Sequence, residues 1–155
     1  LTNLWSFDFG ETTGVSLGFY GPTTAYRLLK AWEVQGGAEG FLDWCRSVDN
    51  KMSTLDTVVA ERFVLNPGEV FRFLPDLTGV PIEGILMALS PAPIYWRLRA
   101  EKTVDDQILK DHGLWQSGQG TNHDDGRDAN DTIVHALGHL RDKYHLPTIR
   151  KYFRA

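Results

Sequence analysis

Cysteine is almost absent from this chain: Cys45 is the only one in 155 residues. A lone cysteine excludes an intrachain disulfide and a cysteine-based zinc cluster, and it suits a reducing compartment. Long apolar runs are missing as well. Stretches such as residues 85–89 (ILMAL) fall far short of the roughly 20 residues that span a bilayer. The first residues, which begin at Leu1, show no basic start and no small-residue cleavage site of a signal peptide. The expectation is a cytoplasmic protein with no membrane partner. Positive charge is not in excess either. Sixteen Lys and Arg against 20 Asp and Glu give a net charge of −4, which by itself weighs mildly against nucleic acid as a partner.

What is present is ordinary for a folded domain. Hydrophobic residues make up 42% and charged residues 23%, and 155 residues can bury a sizeable core in one domain. No internal repeat, low-complexity tract or linker divides residues 1–155, so a single domain is expected. The charges are unevenly spread. Arg141, Lys143, Arg150, Lys151 and Arg154 crowd the end of the sequence, and Arg97, Arg99 and Lys102 form a second basic cluster. Acids gather at Asp124, Asp125, Asp128 and Asp131. If four carboxylates bind divalent metal, the rest of the chain is neutral, so net charge is a weak test here.

Residues 4–9, 15–20 and 25–34 read as three strands joined by Gly- and Pro-containing turns, an antiparallel meander. Gly10 and Gly14 bracket the first turn, as a tight hairpin favours. From Ala38 the period changes: Phe41, Trp44/Cys45, Val48 and Met52 recur at helical spacing, predicting a helix over 38–52. A fourth strand over 55–64 follows this crossover and should lie parallel to the first. A short helix over 82–89, a fifth strand over 94–98 and a helix over 103–112 capped by Thr103 come next. Residues 117–126 are Gly-rich and polar, and 128–144 form the last helix. The order β-β-β-α-β-α-β-α-α predicts an α/β fold with a mixed five-stranded sheet and helices on its faces.

Carboxylates are seldom buried unless paired or bound to metal. Asp8 ends the first strand, where it can cap its own turn or serve as a metal or phosphate ligand. Glu61 follows the apolar run Val58-Val59-Ala60 near the end of the fourth strand. Asp128 and Asp131 open the last helix, where acids also favour the helix dipole. At about 100° per residue, Asp128, Asp131, His135 and His139 form one stripe and Ile133, Leu137, Leu140 and Tyr144 another. The two histidines read as a polar, solvated face, and His123, Asp124 and Asp125 as loop solvation. Asp8, Glu61, Asp128 and Asp131 converging at one place would repel one another without cations. Two Mg²⁺ or Mn²⁺ ions about 3.5–4 Å apart would neutralise them and perform in-line phosphodiester hydrolysis. Oxygen-only ligands favour these ions over Zn²⁺.

Three segments in order also carry a resemblance. Phe7-Asp8-Phe9-Gly10 with Thr13-Gly14, Val58-Val59-Ala60-Glu61, and the run from Arg127-Asp128-Ala129-Asn130-Asp131 to Leu137 resemble the signatures of RuvC-type Holliday junction resolvases. These belong to the RNase H-like (retroviral integrase) superfamily. Arg99-Ala100-Glu101-Lys102 before a helix containing Gln107 resembles the family's linker to its substrate-facing helix. The resemblance implies an RNase H-like nuclease domain over residues 1–155, with Asp8, Glu61, Asp128 and Asp131 as catalytic acids holding two Mg²⁺ ions. It also implies a homodimer acting on four-way and other branched DNA, in a bacterial or phage-infected cytoplasm. The compactness of the chain suits a bacteriophage version. The family's aromatic wedge has no unambiguous match: Phe63, Phe71 and Phe73 are the candidates, with core packing as the alternative. Arg97, Arg99 and Lys102 are the expected phosphate partners, unless they pair with Glu101, Asp105 and Asp106. Phe71, Phe73, Leu74 and the helix over 82–89 are the expected dimer surface.

Other readings share parts of this pattern. A YqgF-type RNA-processing enzyme or a flap nuclease would use the same acids. A non-catalytic junction-binding protein should have lost some of them. The Asp-x-Gly and Thr-Gly turn also resembles the phosphate loop of actin-like ATPases and sugar kinases, but two such domains do not fit in 155 residues.

Overall fold

The computed structural model describes residues 1–47, 51–62, 79–117 and 127–154. Five strands form one sheet in the order β3-β2-β1-β4-β5. β1 (Thr2–Asp8), β2 (Thr13–Tyr20) and β3 (Arg27–Val34) make the antiparallel meander. β4 (Thr57–Glu61) and β5 (Ile94–Arg97) add on parallel to β1. Both arrangements follow from the order of elements, since the crossover helix α1 (Gly37–Arg46) precedes β4. α2 (Gly79–Leu89), α3 (Asp106–Asp111), α4 (Arg127–Asp142) and α5 (Leu146–Tyr152) complete the described α-helices. None of these helices is long and apolar enough to cross a membrane.

β1 is the middle strand, and Leu4, Trp5, Ser6 and Phe7 are all buried. A strand covered on both faces loses the simple alternation of polar and apolar residues, but its side chains still alternate between two cores. Trp5 and Phe7 join Val58, Ala60, Phe41, Ile82 and Leu86 under α1 and α2. Leu4 joins Val59, Ile133, Val134, Ala136 and Leu137 under α4. This division of faces decides where the acids go. Asp8 has the parity of Leu4 and Ser6, and Glu61 that of Val59, so both face α4.

α4 is buried nearly all round. Ala129, Asn130 and every residue from Thr132 to Leu140 are buried. The expected packing of Ile133, Leu137 and Leu140 is seen. His135 and His139 do not form a solvated face: both are buried, because α4 is enclosed by the sheet on one side and by neighbouring segments on others. Tyr144 is exposed and has φ of 57°, a left-handed residue that stops the helix before the expected end. Seven further residues then form α5, with Pro147 in its first turn, a short helix beyond the expected pattern. Two other boundaries differ. α1 is described only to Arg46, and α3 is capped by Asp105, whose carboxylate accepts from Gln107 N, rather than by Thr103.

Candidate active site

The ladder between β1 and β4 runs from Leu4↔Thr57 to Phe7↔Ala60. One step further it brings Asp8 beside Glu61. On its other side Asp8 pairs with Gly14, and Gly14 with Glu33. Gly14 is not needed for a left-handed turn, nor is Gly10, since neither has positive φ. Gly14 is needed for space. A Cβ there would collide with the backbone carbonyl of Asp128 and lie 2.9 Å from Ala129 N. The start of α4 therefore rests on the bare backbone of β2, directly beside Asp8.

Three acids meet as a result. Asp8, Asp128 and Asp131 each offer a ligand atom within 4.8 Å of the others. Glu61 stands at the edge of this group and shares a hydrogen bond with Asp8. Of the four expected acids, three share one centre and the fourth is bonded to it. Lys102 faces them, with Nζ 3.0 Å from Asp131 Oδ1. Its partner is thus an acid of the site, not Glu101, Asp105 or Asp106.

The electrostatics are those of a cluster short of positive charge. Burial holds the Asp8 carboxyl well above its usual range, helped by its hydrogen bond to Glu61 and the charges of Glu61, Asp131 and Asp128. Burial and the charges of Glu33 and Asp131 push Asp128 up to about 6, against the opposing charge of Arg127. Burial works to raise Glu61 too, but the neighbouring His135, Asp8 and Lys102 outweigh it and bring Glu61 down to about 2. Asp8 is thus held up and Glu61 held down within one pair of neighbouring carboxyls. Carboxyls gathered this closely, with oxygen donors only, fit one or more hard divalent ions.

Several expected residues lie elsewhere. Arg97 is buried rather than exposed to phosphate. Its guanidinium is held by His135 Nδ1 at 3.2 Å, Asp142 Oδ2 at 3.0 Å and the Glu101 carbonyl at 3.1 Å. A buried guanidinium must find acceptors, and three have already been supplied. Arg99 is exposed on the 3₁₀ turn Arg99–Glu101. His139 packs against the Tyr95 ring, and burial with the charges of Arg97 and Lys143 lowers it to about 4. Phe63, Phe71, Phe73 and Leu74, with His123, Asp124 and Asp125, lie outside the described residues. Two neighbours of the acids, Glu33 and His135, escaped sequence reasoning as site residues. Glu33 had no visible signal, because its proximity comes from the β2–β3 register. His135 had one: it is four residues after Asp131 on the same stripe.

No protein-family model matches the chain, and no curated protein matches it. Solved structures do. T. thermophilus RuvC in complex with a Holliday junction substrate matches with a TM-score of 0.56 at 12% identity, covering 94% of this chain and 98% of that one. The Fowlpox virus resolvase in complex with its substrate Holliday junction DNA matches with a TM-score of 0.53 at 15% identity, covering 90% and 99%. Identities this low speak for the fold, and the fold of this chain is the RNase H-like fold of RuvC and the poxvirus resolvases.

Proposed function

We propose that this chain is a Mg²⁺-dependent endonuclease that nicks four-way DNA junctions and related branched DNA. The observation that carries the reading is the meeting of Asp8, Asp128 and Asp131 within 4.8 Å, with Glu61 bonded to Asp8, in a fold shared with junction resolvases. Asp8, Asp128, Asp131 and Glu61 would hold two ions, which supply an activated water and charge for the departing oxygen of an in-line displacement. The chain's own residues prepare that site. Asp8, whose carboxyl is held above its usual range by burial and by the neighbouring acids, would ionise more readily beside a cation. Asp128, already at about 6, is ionised at neutral pH. Lys102 neutralises Asp131 and holds its carboxylate in place.

Cleavage of a junction labelled strand by strand tests this directly. Mg²⁺ and Mn²⁺ should support nicking and excess chelator should abolish it. Ca²⁺, with longer and more numerous oxygen bonds, should support binding only. Mn²⁺ affinity should rise with pH through the range where Asp128 loses its proton, about 6, because the ion and the proton compete. The products should be paired nicks related by the junction's two-fold axis, made by a homodimer visible in light scattering. Val80 and Met87, seven residues apart on one side of α2, are exposed and apolar, which suits such an interface. Full activity in chelator would exclude the mechanism. A monomer cutting flaps or RNA faster than junctions would replace the resolvase reading with another RNase H-like nuclease.

Phosphate contacts are assigned to Arg99 rather than Arg97. Arg99→Glu should weaken junction binding and reduce the slope of log affinity against log salt by about 1. Arg97 is enclosed and Lys102 is committed to Asp131, so reversing either charge disturbs the site itself. An unchanged salt slope for Arg99→Glu would remove Arg99 from the interface.

A further inference from the structure

Arg97 and Glu61 are cross-strand partners at the end of the β4–β5 ladder. Their side chains share the face under α4, and His135 reaches in between them. Arg97 Nε donates to His135 Nδ1 at 3.2 Å. A guanidinium offers only donors, so Nδ1 must be an acceptor and the ring hydrogen sits on Nε2. Nε2 points at Glu61 Oε1 across 3.7 Å. Both of these atoms are buried, and both lack a hydrogen-bond partner among the described residues. The gap exceeds a hydrogen bond by a few tenths of an ångström. A small turn about the soft terminal torsion of Glu61 closes it. Arg97 is itself anchored: Asp142 Oδ2 and the Glu101 carbonyl hold its other nitrogens, and the guanidinium lies over Gly138, where a Cβ would come within 2.7 Å of Nη2.

We propose that His135 is a positioning residue of the active site: its Nε2–H, fixed in that tautomer by Arg97, holds Glu61 Oε1 and leaves the other Glu61 oxygen for the divalent cation. This role rests on the reading of the acids as a cation site. His135 touches neither substrate nor ion. It orients a carboxylate, as hydrogen-bond partners behind metal ligands do. The chain Asp142–Arg97–His135–Glu61 thus links a half-exposed acid on α4 to the catalytic centre.

The test uses two measurements. Long-range ¹H–¹⁵N NMR of the wild-type imidazoles, without metal, should show His135 as the Nε2–H tautomer, its signal identified by its loss in His135→Gln. An Nδ1–H tautomer or a doubly protonated ring at neutral pH overturns the proposal. Mn²⁺ titration by calorimetry then compares His135→Gln, whose amide nitrogen falls near Nε2, with His135→Leu, which has no donor. The leucine variant should bind Mn²⁺ about 10–100-fold more weakly and lose kcat with KM for the junction unmoved, while glutamine restores most of the affinity. Wild-type affinity in the leucine variant overturns the proposal. The tautomer measurement needs only the wild-type chain and the glutamine variant, so it can overturn the proposal even where the leucine variant fails to fold. A wild type whose Mn²⁺ binding depends on His135 but which cuts no DNA upholds this role and overturns the nuclease reading. A wild type that binds no Mn²⁺ overturns both.

Discussion

Asp8→Asn is expected to abolish cleavage and, in the same protein, to raise the melting temperature of the cation-free form. The two effects have one cause. Asp8 is half-buried among Glu61, Asp131 and Asp128, and its carboxyl is held well above its usual range. For an acid, a raised folded-state pKa means that ionisation opposes folding. The penalty is absent below the ordinary Asp value of about 4, grows as pH climbs towards the folded-state value, and is constant beyond it. Asparagine removes the charge, keeps the volume, and can donate to Glu61 as the protonated acid does. The stability gap between variant and wild type should therefore open with rising pH and close in acid. In a chain of this size each 1 kcal/mol of relief raises Tm by about 2–4 °C. Activity should fall more than about a hundredfold, since losing a partner behind a ligand already costs about 10–100-fold. Calorimetric scans in chelator and in Mg²⁺ check both halves: the ion should stabilise the wild type and not the variant. A variant that cuts DNA normally, or that melts lower than wild type at neutral pH in chelator, would contradict the account.

The second large effect is expected at a residue with no side chain. Gly14→Ala places a methyl group against the Asp128 carbonyl and 2.9 Å from Ala129 N. These are backbone atoms of a helix start and cannot step aside as a flexible side chain would. The first turn of α4 must move away from β2, carrying Asp128 and Asp131 away from Asp8. A displacement of about 1 Å at a reacting centre is enough for a loss of about a hundredfold, and overpacking costs about 1–3 kcal/mol of stability. Gly84→Ala provides the comparison. Among the described residues nothing lies within 4 Å of a Cβ at Gly84, which is inside α2, so that change should leave cleavage intact and add up to about 1 kcal/mol through helix propensity. Cleavage rates and Mn²⁺ affinities of the two variants, measured together, separate a steric effect at the site from a general intolerance of glycine replacement. Equal behaviour would refute the assignment.

The parts of this protein legible in its sequence are those written in local pattern. The meander, the crossover that sets β4 parallel to β1, and the acids at the ends of β1 and β4 and the start of α4 follow from periodicity and punctuation. What escaped depends on a third dimension. Arg97 looked like surface charge because alternation in a short edge strand does not reveal that α4 lies over it. His135 and His139 looked solvated because a helix with polar residues on one stripe ordinarily shows that stripe to water, whereas this helix is enclosed. Gly14 reads in the sequence as a turn residue, whereas what requires it is the approach of a helix more than a hundred residues later in the chain.

The clasp between α5 and the β2–β3 connection bears on how the protein is made. Tyr26 N donates to Thr148 Oγ1, Tyr152 Oη to the Tyr26 carbonyl, and His145 Nε2 meets the Gly21 carbonyl, across sequence separations of 122, 126 and 124 residues. Contacts of such high order form late, because the intervening chain must be closed before they reward the search. During synthesis the meander can pair as soon as it emerges, and Asp8 and Glu61 can come side by side while α4 is still in the ribosome. Asp128 and Asp131 arrive only when α4 has left the exit tunnel, and the clasp then locks that helix against the sheet. A nascent or prematurely ended chain holds Asp8 and Glu61 without Asp128 and Asp131, so on the proposed reading any cutting would be confined to molecules whose folding has run to completion.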